Sequence, residues 1–193
     1  KMKNSINLHD KYIPLFQSKT RYNVITGGRG SGKSFGINVF LLNLTYESGH
    51  KILFTRYTMA SANTSIIPEF VEKIDMMGVN SHFRITKDEI TNLQTGSSII
   101  FKGIRTSSGN QTAALKSLNG ITTFVVDEAE ELDDEVIRES LEELKKQGKI
   151  RLKRRRGLIF FPNARKTEES TLEHALGTNV MLSHHRKISN DHQ

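Results

Sequence analysis

A lysine and a serine directly follow a glycine-rich segment, at the spacing found in loops that bind phosphate. Gly27, Gly32, Lys33 and Ser34 match the pattern G-x-x-x-x-G-K-[ST]. Glycines allow a backbone to wrap a phosphate chain with successive N–H groups pointing at the anion. The lysine ammonium reaches the β- and γ-phosphates, and the serine hydroxyl is a ligand for Mg²⁺. The pattern predicts a phosphate loop that binds ATP through Gly27, Gly28, Arg29, Gly30, Ser31, Gly32, Lys33 and Ser34.

Two carboxylates follow an apolar run and provide the second half of such a site. Asp127 and Glu128 come directly after residues 123–126. A buried strand would carry Asp127 to the carboxyl edge of a parallel sheet, where it can ligate Mg²⁺. Glu128 can orient and deprotonate the attacking water, which predicts ATP hydrolysis with Lys33 as a second catalytic residue. The alternative is a solvated acidic surface, because acidic residues are dense from 127 to 143.

The elements around these residues alternate between strand and helix patterns. Residues 22–26 form a β-rich run that ends at the glycines, a helical apolar pattern starts at Ser34, and residues 51–56 are the next strand. This order is the unit of parallel α/β sheets. Further patterns predict a helix at 64–77, strands at 82–86, 90–93 and 98–104, a buried strand at 121–126, a helix at 135–147 and a strand at 157–161. Residues 94–97 are a turn signal and predict a hairpin between the second and third of the strands in 82–104. The predicted fold is α/β, with a mostly parallel central sheet, flanking helices and a β-hairpin insertion.

Composition narrows the class of protein. The chain of 193 residues is long enough for one domain with a core, and it has no cysteine, which excludes disulfides and thiolate metal sites. It has no apolar run of roughly 18 residues, so we expect no membrane partner and a cytoplasmic location. The whole basic excess behind the net charge of +7 lies in residues 145–193, which include the basic run 151–156. Nucleic acid is one partner for that segment, and a solvated tail is the alternative.

Three segments together resemble the ATPase domain of large terminases, the DNA-packaging motors of tailed bacteriophages. They are residues 22–35 (YNVITGGRGSGKSF), 51–57 (KILFTRY) and 116–132 (KSLNGITTFVVDEAEEL). With the hairpin near 82–104, the resemblance spans about residues 10–135. It implies an additional-strand, RecA-like P-loop fold and Mg²⁺-dependent ATP hydrolysis that drives double-stranded DNA into a procapsid. The implied partners are double-stranded DNA, the portal, the small terminase subunit and further copies in a ring, inside the infected bacterial host cell.

The resemblance also implies roles for residues outside the two motifs. Arg29, within the phosphate loop, would neutralise charge on the γ-phosphate, and the alternative is a local ion pair that shapes the loop. Arg56, at the end of the second strand, matches an arginine common in the family. Asn163 takes the place of the polar residue that senses the γ-phosphate, although the family usually has Asn before Pro.

Adenine would be bound just before the first strand. The candidates are Tyr12, Phe16, Arg21 and Tyr22, whose rings or guanidinium plane can stack on a base. For Tyr12 and Phe16, packing against the sheet edge is the alternative.

We expect residues 1–163 to form the ATPase domain and residues 164–193 to form a C-terminal tail that is partly disordered. The nuclease domain that the family carries is expected to be absent. Two other functions are compatible with the motifs. One is a helicase-like, nucleic-acid-dependent ATPase, because residues 127–130 (DEAE) are close to a helicase motif. The other is a nucleotide-binding assembly module that hydrolyses ATP poorly.

Overall fold

The computed structural model describes residues 6–17, 22–28, 30–57, 62–104, 118–131, 158–161 and 180–185, with the single positions 136, 139, 140 and 142. Three of the predicted site residues, Arg21, Arg29 and Asn163, lie outside the described residues. The basic run 151–156 and most of the helix predicted at 135–147 lie outside them as well.

Eight strands form one sheet in the order β3-β4-β5-β2-β6-β7-β1-β8. The strands are β1 Tyr22–Gly27, β2 Lys51–Arg56, β3 Phe83–Ile85, β4 Glu89–Asn92, β5 Ser98–Gly103, β6 Thr123–Asp127, β7 Leu158–Phe161 and β8 Val180–His185. In the sheet order, the strands β5-β2-β6-β7-β1-β8 all pair in parallel with their neighbours. The pairs β3-β4 and β4-β5 are antiparallel. The mostly parallel sheet with a hairpin insertion is therefore confirmed.

The α-helices whose bounds lie in the described residues are α1 Ile13–Gln17, α2 Lys33–Leu44 and α3 Ile67–Met77. Helix α2 is buried along most of its length, in line with the apolar residues that cover most of its surface. Pro68 lies in the first turn of α3, and a short π-helix, Ala62–Ile66, directly precedes α3. Gly78 ends α3 with a φ of 67°, a left-handed conformation that glycine adopts without strain. None of the helices in the described ranges is long and apolar enough to cross a membrane.

Strand β7 lies between the strand that ends in the glycines and the strand that ends in the acids. It pairs in parallel with β1 on one side and with β6 on the other. The sheet therefore contains the additional strand that the resemblance implied. Since β1, β2 and β6 all run in the same direction, the phosphate loop, Arg56 and Asp127 lie at the same carboxyl edge of the sheet.

The hairpin is joined to the residues that follow α2 by hydrogen bonds that are buried or partly buried. The Asn92 side chain donates to Thr45 Oγ1 at 3.3 Å, and its own oxygen accepts from the N–H of Gln94 at 2.9 Å. Thr95 Oγ1 donates to the Thr45 carbonyl at 2.6 Å, and Ser97 Oγ donates to the Glu47 carbonyl at 2.6 Å. The turn predicted at residues 94–97 is confirmed, and these contacts give it a fixed place on the helix.

One strand was not indicated by the sequence pattern. Val180–His185 form β8, which pairs with β1 along the full length of that strand. Only three apolar residues occur in this run, and serine and histidine end it, so neither alternation nor a continuous apolar stretch marks it as a strand. Its pairing with the neighbouring edge, rather than its own composition, defines it. The division of the chain at residue 163 stays a prediction.

Candidate active site

The phosphate loop connects β1 to α2 through two residues in the left-handed region. Gly30 has a φ of 77° and Gly32 a φ of 78°. A Cβ atom added at Gly30 would meet no heavy atom within 4 Å, so the backbone conformation, not lack of space, requires glycine there. The N–H of Ser31 donates to the carbonyl of Gly28 at 3.2 Å, which closes the loop directly before the helix begins.

The lysine and the serine of the motif occupy the first two positions of α2. The Lys33 ammonium donates to the carbonyl oxygens of Gly27 at 2.6 Å and Gly28 at 3.3 Å, so its side chain turns back across the loop. Ser34 is exposed in the first helical turn. The positive end of the helix dipole points toward the loop at this position. Cation, hydroxyl and backbone N–H groups are therefore gathered around one anion-binding concavity.

A short N-terminal segment, residues 9–12, holds the loop from outside, and we call it the strap. The Tyr12 hydroxyl donates to the carbonyl of Gly32, and the Lys11 ammonium donates to the carbonyl of Ser31 at 2.7 Å. Burial raises the pKa of Tyr12 to about 12, so the hydroxyl remains a donor at any physiological pH. Tyr12 is only 5% exposed. The Tyr12 ring packs against Gly36 of α2 in this structure. Its stacking on adenine stays a prediction.

Lys11 was missed by the sequence analysis. It has no motif of its own, and its contact with the loop joins residues 20 positions apart. A cavity of about 190 Å³ lies between the strap and the loop. Its lining consists of Asn7, Leu8, His9, Lys11, Tyr12, Gly30, Ser31, Gly32 and Phe35. The strap thus forms one wall of a concave space whose other wall is the phosphate loop.

Gly36 makes the close approach of the strap to α2 possible. A Cβ atom at this position would overlap the Cδ1, Cε1 and Cζ atoms of the Tyr12 ring. Replacing a glycine inside a helix by alanine normally stabilises by about 0.5–1 kcal/mol. We expect Gly36→Ala to destabilise instead, because overpacking of this kind costs about 1–3 kcal/mol.

Urea unfolding of the wild-type chain and of Gly36→Ala measures the difference in their free energy of unfolding. In a Tyr12→Ala background the overlap is gone, so Gly36→Ala should then leave the free energy of unfolding unchanged or raise it. A stabilising Gly36→Ala in the presence of Tyr12 would contradict the packing described here.

The acid pair lies at the end of β6, beside the end of β2. Arg56 donates to Asp127 Oδ2 from Nη2 at 2.6 Å and from Nε at 3.1 Å, and Nε is also 3.1 Å from Glu128 Oε2. The Asp127 side chain is 8% exposed and that of Glu128 is 41% exposed. Glu128 has a φ of 51°, a conformation that residues other than glycine seldom adopt. Asp127 is therefore the buried member of the pair, and Glu128 is the member that water can reach.

The two carboxylates have different environments. Burial raises the pKa of Asp127 to about 7, although the positive charge and the hydrogen bonds of Arg56 lower it. Burial lowers the pKa of Arg56, but the charges of Asp127 and Glu128 outweigh this effect and the net pKa is raised. Arg56 is therefore charged, and it opposes the effect of burial on the pKa of Asp127.

The residues present fit Mg²⁺ and a triphosphate. Hydroxyl and carboxylate oxygens, which Ser34 and Asp127 supply, are the ligands that Mg²⁺ prefers. In the described part of the chain, no group of three or more His, Cys, Asp or Glu residues could hold a metal ion by itself. Mg²⁺ typically binds through one or two carboxylates together with substrate phosphates, and this chain offers that arrangement.

Comparisons with known proteins agree with this architecture. A family model described as phage terminase large subunit matches residues 19–187. The terminase large subunit of Bacillus phage SPP1 is 28% identical over 123 residues, which are 58% of this chain and 28% of that protein.

Two solved structures share the fold. The large terminase of a thermophilic bacteriophage superimposes with a TM-score of 0.66 at 11% identity, over 94% of this chain and 46% of that one. The same large terminase has also been solved with ATP-γ-S. The large terminase ATPase domain of Thermus phage P74-26 gives a TM-score of 0.61 at 15% identity, over 95% of this chain and 86% of that one. This chain thus spans less than half of the two longer proteins and most of the isolated ATPase domain.

Proposed function

Because the chain belongs to the phage terminase large subunit family, we propose that it hydrolyses ATP with Mg²⁺ to drive double-stranded DNA into a procapsid. The observation that carries this proposal is the position of the acid pair. Asp127 and Glu128 lie at the same sheet edge as the phosphate loop, with one strand between them. A carboxylate for the metal and a second carboxylate for water, facing a triphosphate cradle, form the arrangement that ATP hydrolysis requires.

Each side chain then has a defined task. Lys33 would move from the carbonyls of Gly27 and Gly28 to the β- and γ-phosphates, and Ser34 and Asp127 would hold Mg²⁺. The metal would neutralise negative charge on the phosphates. Glu128 accepts a proton from the attacking water, for which its exposed carboxylate is suited. Arg29 would neutralise charge at the γ-phosphate, as the resemblance implies.

Further contacts belong to the same proposal. Tyr12 and Arg21 would contribute to the nucleotide site from the N-terminal side, and Asn163 would sense the γ-phosphate after β7. In the assembled motor, copies of this chain would form a ring with the portal and the small terminase subunit, in the cytoplasm of the infected bacterial host. The double-stranded DNA would pass along this ring.

The test is phosphate release from ATP by the 193-residue chain, with and without Mg²⁺, DNA and portal. We expect Mg²⁺-dependent hydrolysis that is stimulated by double-stranded DNA together with portal. Stimulation by single-stranded DNA alone would favour the helicase-like alternative. Binding of ATP without any turnover under all these conditions would favour the assembly module and overturn the proposal.

A further inference from the structure

One guanidinium contacts both members of the acid pair. Thr55 lies opposite Val126 in the parallel register of β2 and β6, so the next residues along, Arg56 and Asp127, lie side by side. Both Nη2 and Nε of Arg56 donate to Asp127 Oδ2, and Nε also faces Glu128 Oε2. The register of two strands, rather than a flexible loop, places this contact.

Among the residues that the structure describes, Arg56 forms ion pairs with both carboxylates. Its side chain is 20% exposed, and that of Asp127 is 8% exposed. A buried carboxylate needs a charged donor in place of the water it has lost. Arg56 supplies that donor to Asp127, and the left-handed backbone of Glu128 brings the second carboxylate against the same guanidinium.

We propose that Arg56 is the positioning residue of the acid pair, which it holds until Mg²⁺ competes with it for Asp127. This inference rests on the proposed function, since it takes Asp127 as the metal ligand and Glu128 as the base. A divalent cation bound at Asp127 would be repelled by the guanidinium of Arg56. The cation would also weaken the attraction between that guanidinium and the Asp127 carboxylate. Because the same guanidinium contacts Glu128, metal binding also loosens the contact that occupies the base. Metal loading and readiness of the base are coupled through one side chain.

Removing Arg56 has two opposing effects on the affinity of Asp127 for Mg²⁺, and the larger effect decides whether that affinity rises or falls. Loss of a neighbouring positive charge favours the divalent ion, whereas loss of a hydrogen-bonded partner leaves Asp127 less well oriented. The orientation effect is the smaller, because Asp127 is buried and fixed by the pairing of β6 with β7. The charge effect dominates at this depth, where Coulomb interactions are weakly screened.

The test measures Mg²⁺ binding without hydrolysis. Fluorescent ADP is titrated with Mg²⁺ in the wild-type chain and in Arg56→Gln, and the half-saturating Mg²⁺ concentration is compared. We expect it to fall by about 10-fold in Arg56→Gln. Arg56→Lys keeps a charge but can contact fewer acceptors at once, so a smaller shift in the same direction is expected. Arg84→Gln, which removes an exposed arginine from β3, is the matched control and should leave the value unchanged.

An unchanged or higher half-saturating Mg²⁺ concentration in Arg56→Gln would overturn the proposal. If Arg56→Gln does not fold, thermal unfolding of Arg56→Lys and of the wild-type chain is compared with and without Mg²⁺ and ADP. The rise in Tm caused by Mg²⁺ and ADP should then exceed that of the wild-type chain, and an equal or smaller rise counts against the role of Arg56. A wild-type chain that binds no nucleotide with Mg²⁺ would instead refute the proposed function itself.

Discussion

Glu128→Gln is expected to lower kcat for ATP by about 10²–10⁴-fold, the contribution of a positioned general base. Glutamine has nearly the same shape as glutamate but accepts no proton from the attacking water. Glu128 is the more exposed member of the acid pair. It directly follows β6, and its φ of 51° gives its side chain a different direction from that of a residue in extended backbone. Nucleotide affinity should change little, because Asp127, Lys33 and the loop remain.

Phosphate release and binding of fluorescent ADP, measured on the same preparations, separate the two effects. Glu139→Gln is the matched control, since Glu139 is an exposed acid 11 positions further along and should retain wild-type turnover. Unaltered turnover in Glu128→Gln would show that another group activates the water. A loss of binding together with turnover would point to a structural role for Glu128.

Lys33→Ala is expected to lower kcat by about 10²–10³-fold, as loss of one preorganised charged donor does. Nucleotide binding should weaken as well, because the ammonium that contacts the β- and γ-phosphates is gone. In this structure the same ammonium donates to the carbonyls of Gly27 and Gly28, so its removal also takes this donor from two loop carbonyls. The substitution therefore also affects the hydrogen bonding of the loop itself.

Lys87→Ala serves as the control, because it removes an exposed lysine from the turn between β3 and β4. Steady-state ATPase assays and equilibrium ADP binding are compared among the three chains. Full activity of Lys33→Ala would exclude the phosphate loop as the site of hydrolysis. Similar losses in Lys33→Ala and Lys87→Ala would indicate a general electrostatic effect of lysine removal.

Local patterns predicted the elements that hold the chemistry. The spacing of the glycines, Lys33 and Ser34 predicted a strand-to-helix loop, and the structure has Gly30 and Gly32 in the left-handed region of that loop. The apolar run before Asp127 predicted a buried strand, and the turn at 94–97 predicted a hairpin. The structure contains both, with β6 fully buried and β4 paired with β5.

Contacts between distant residues could not be predicted in this way. The strap residues Lys11 and Tyr12 contact the phosphate loop, which is 20 positions away in the chain. Position 36 needs a glycine because the Tyr12 ring packs against it, and no local pattern shows that contact. Strand β8 is defined by its pairing with β1, since its own composition is not that of a typical strand. The resemblance pointed to Arg56, but its contacts with Asp127 and Glu128 depend on the register of β2 against β6.

The sequence by itself determined which groups can bind phosphate, ligate a metal and accept a proton, because those properties belong to residue types and short spacings. Tertiary structure alone decided that the strap contacts the phosphate loop and that β8 pairs with β1. It also decided that Asp127 is buried beside Arg56 while Glu128 faces water. Burial and pairing depend on which distant segments lie side by side. A local pattern of residues contains no information about its neighbours in space.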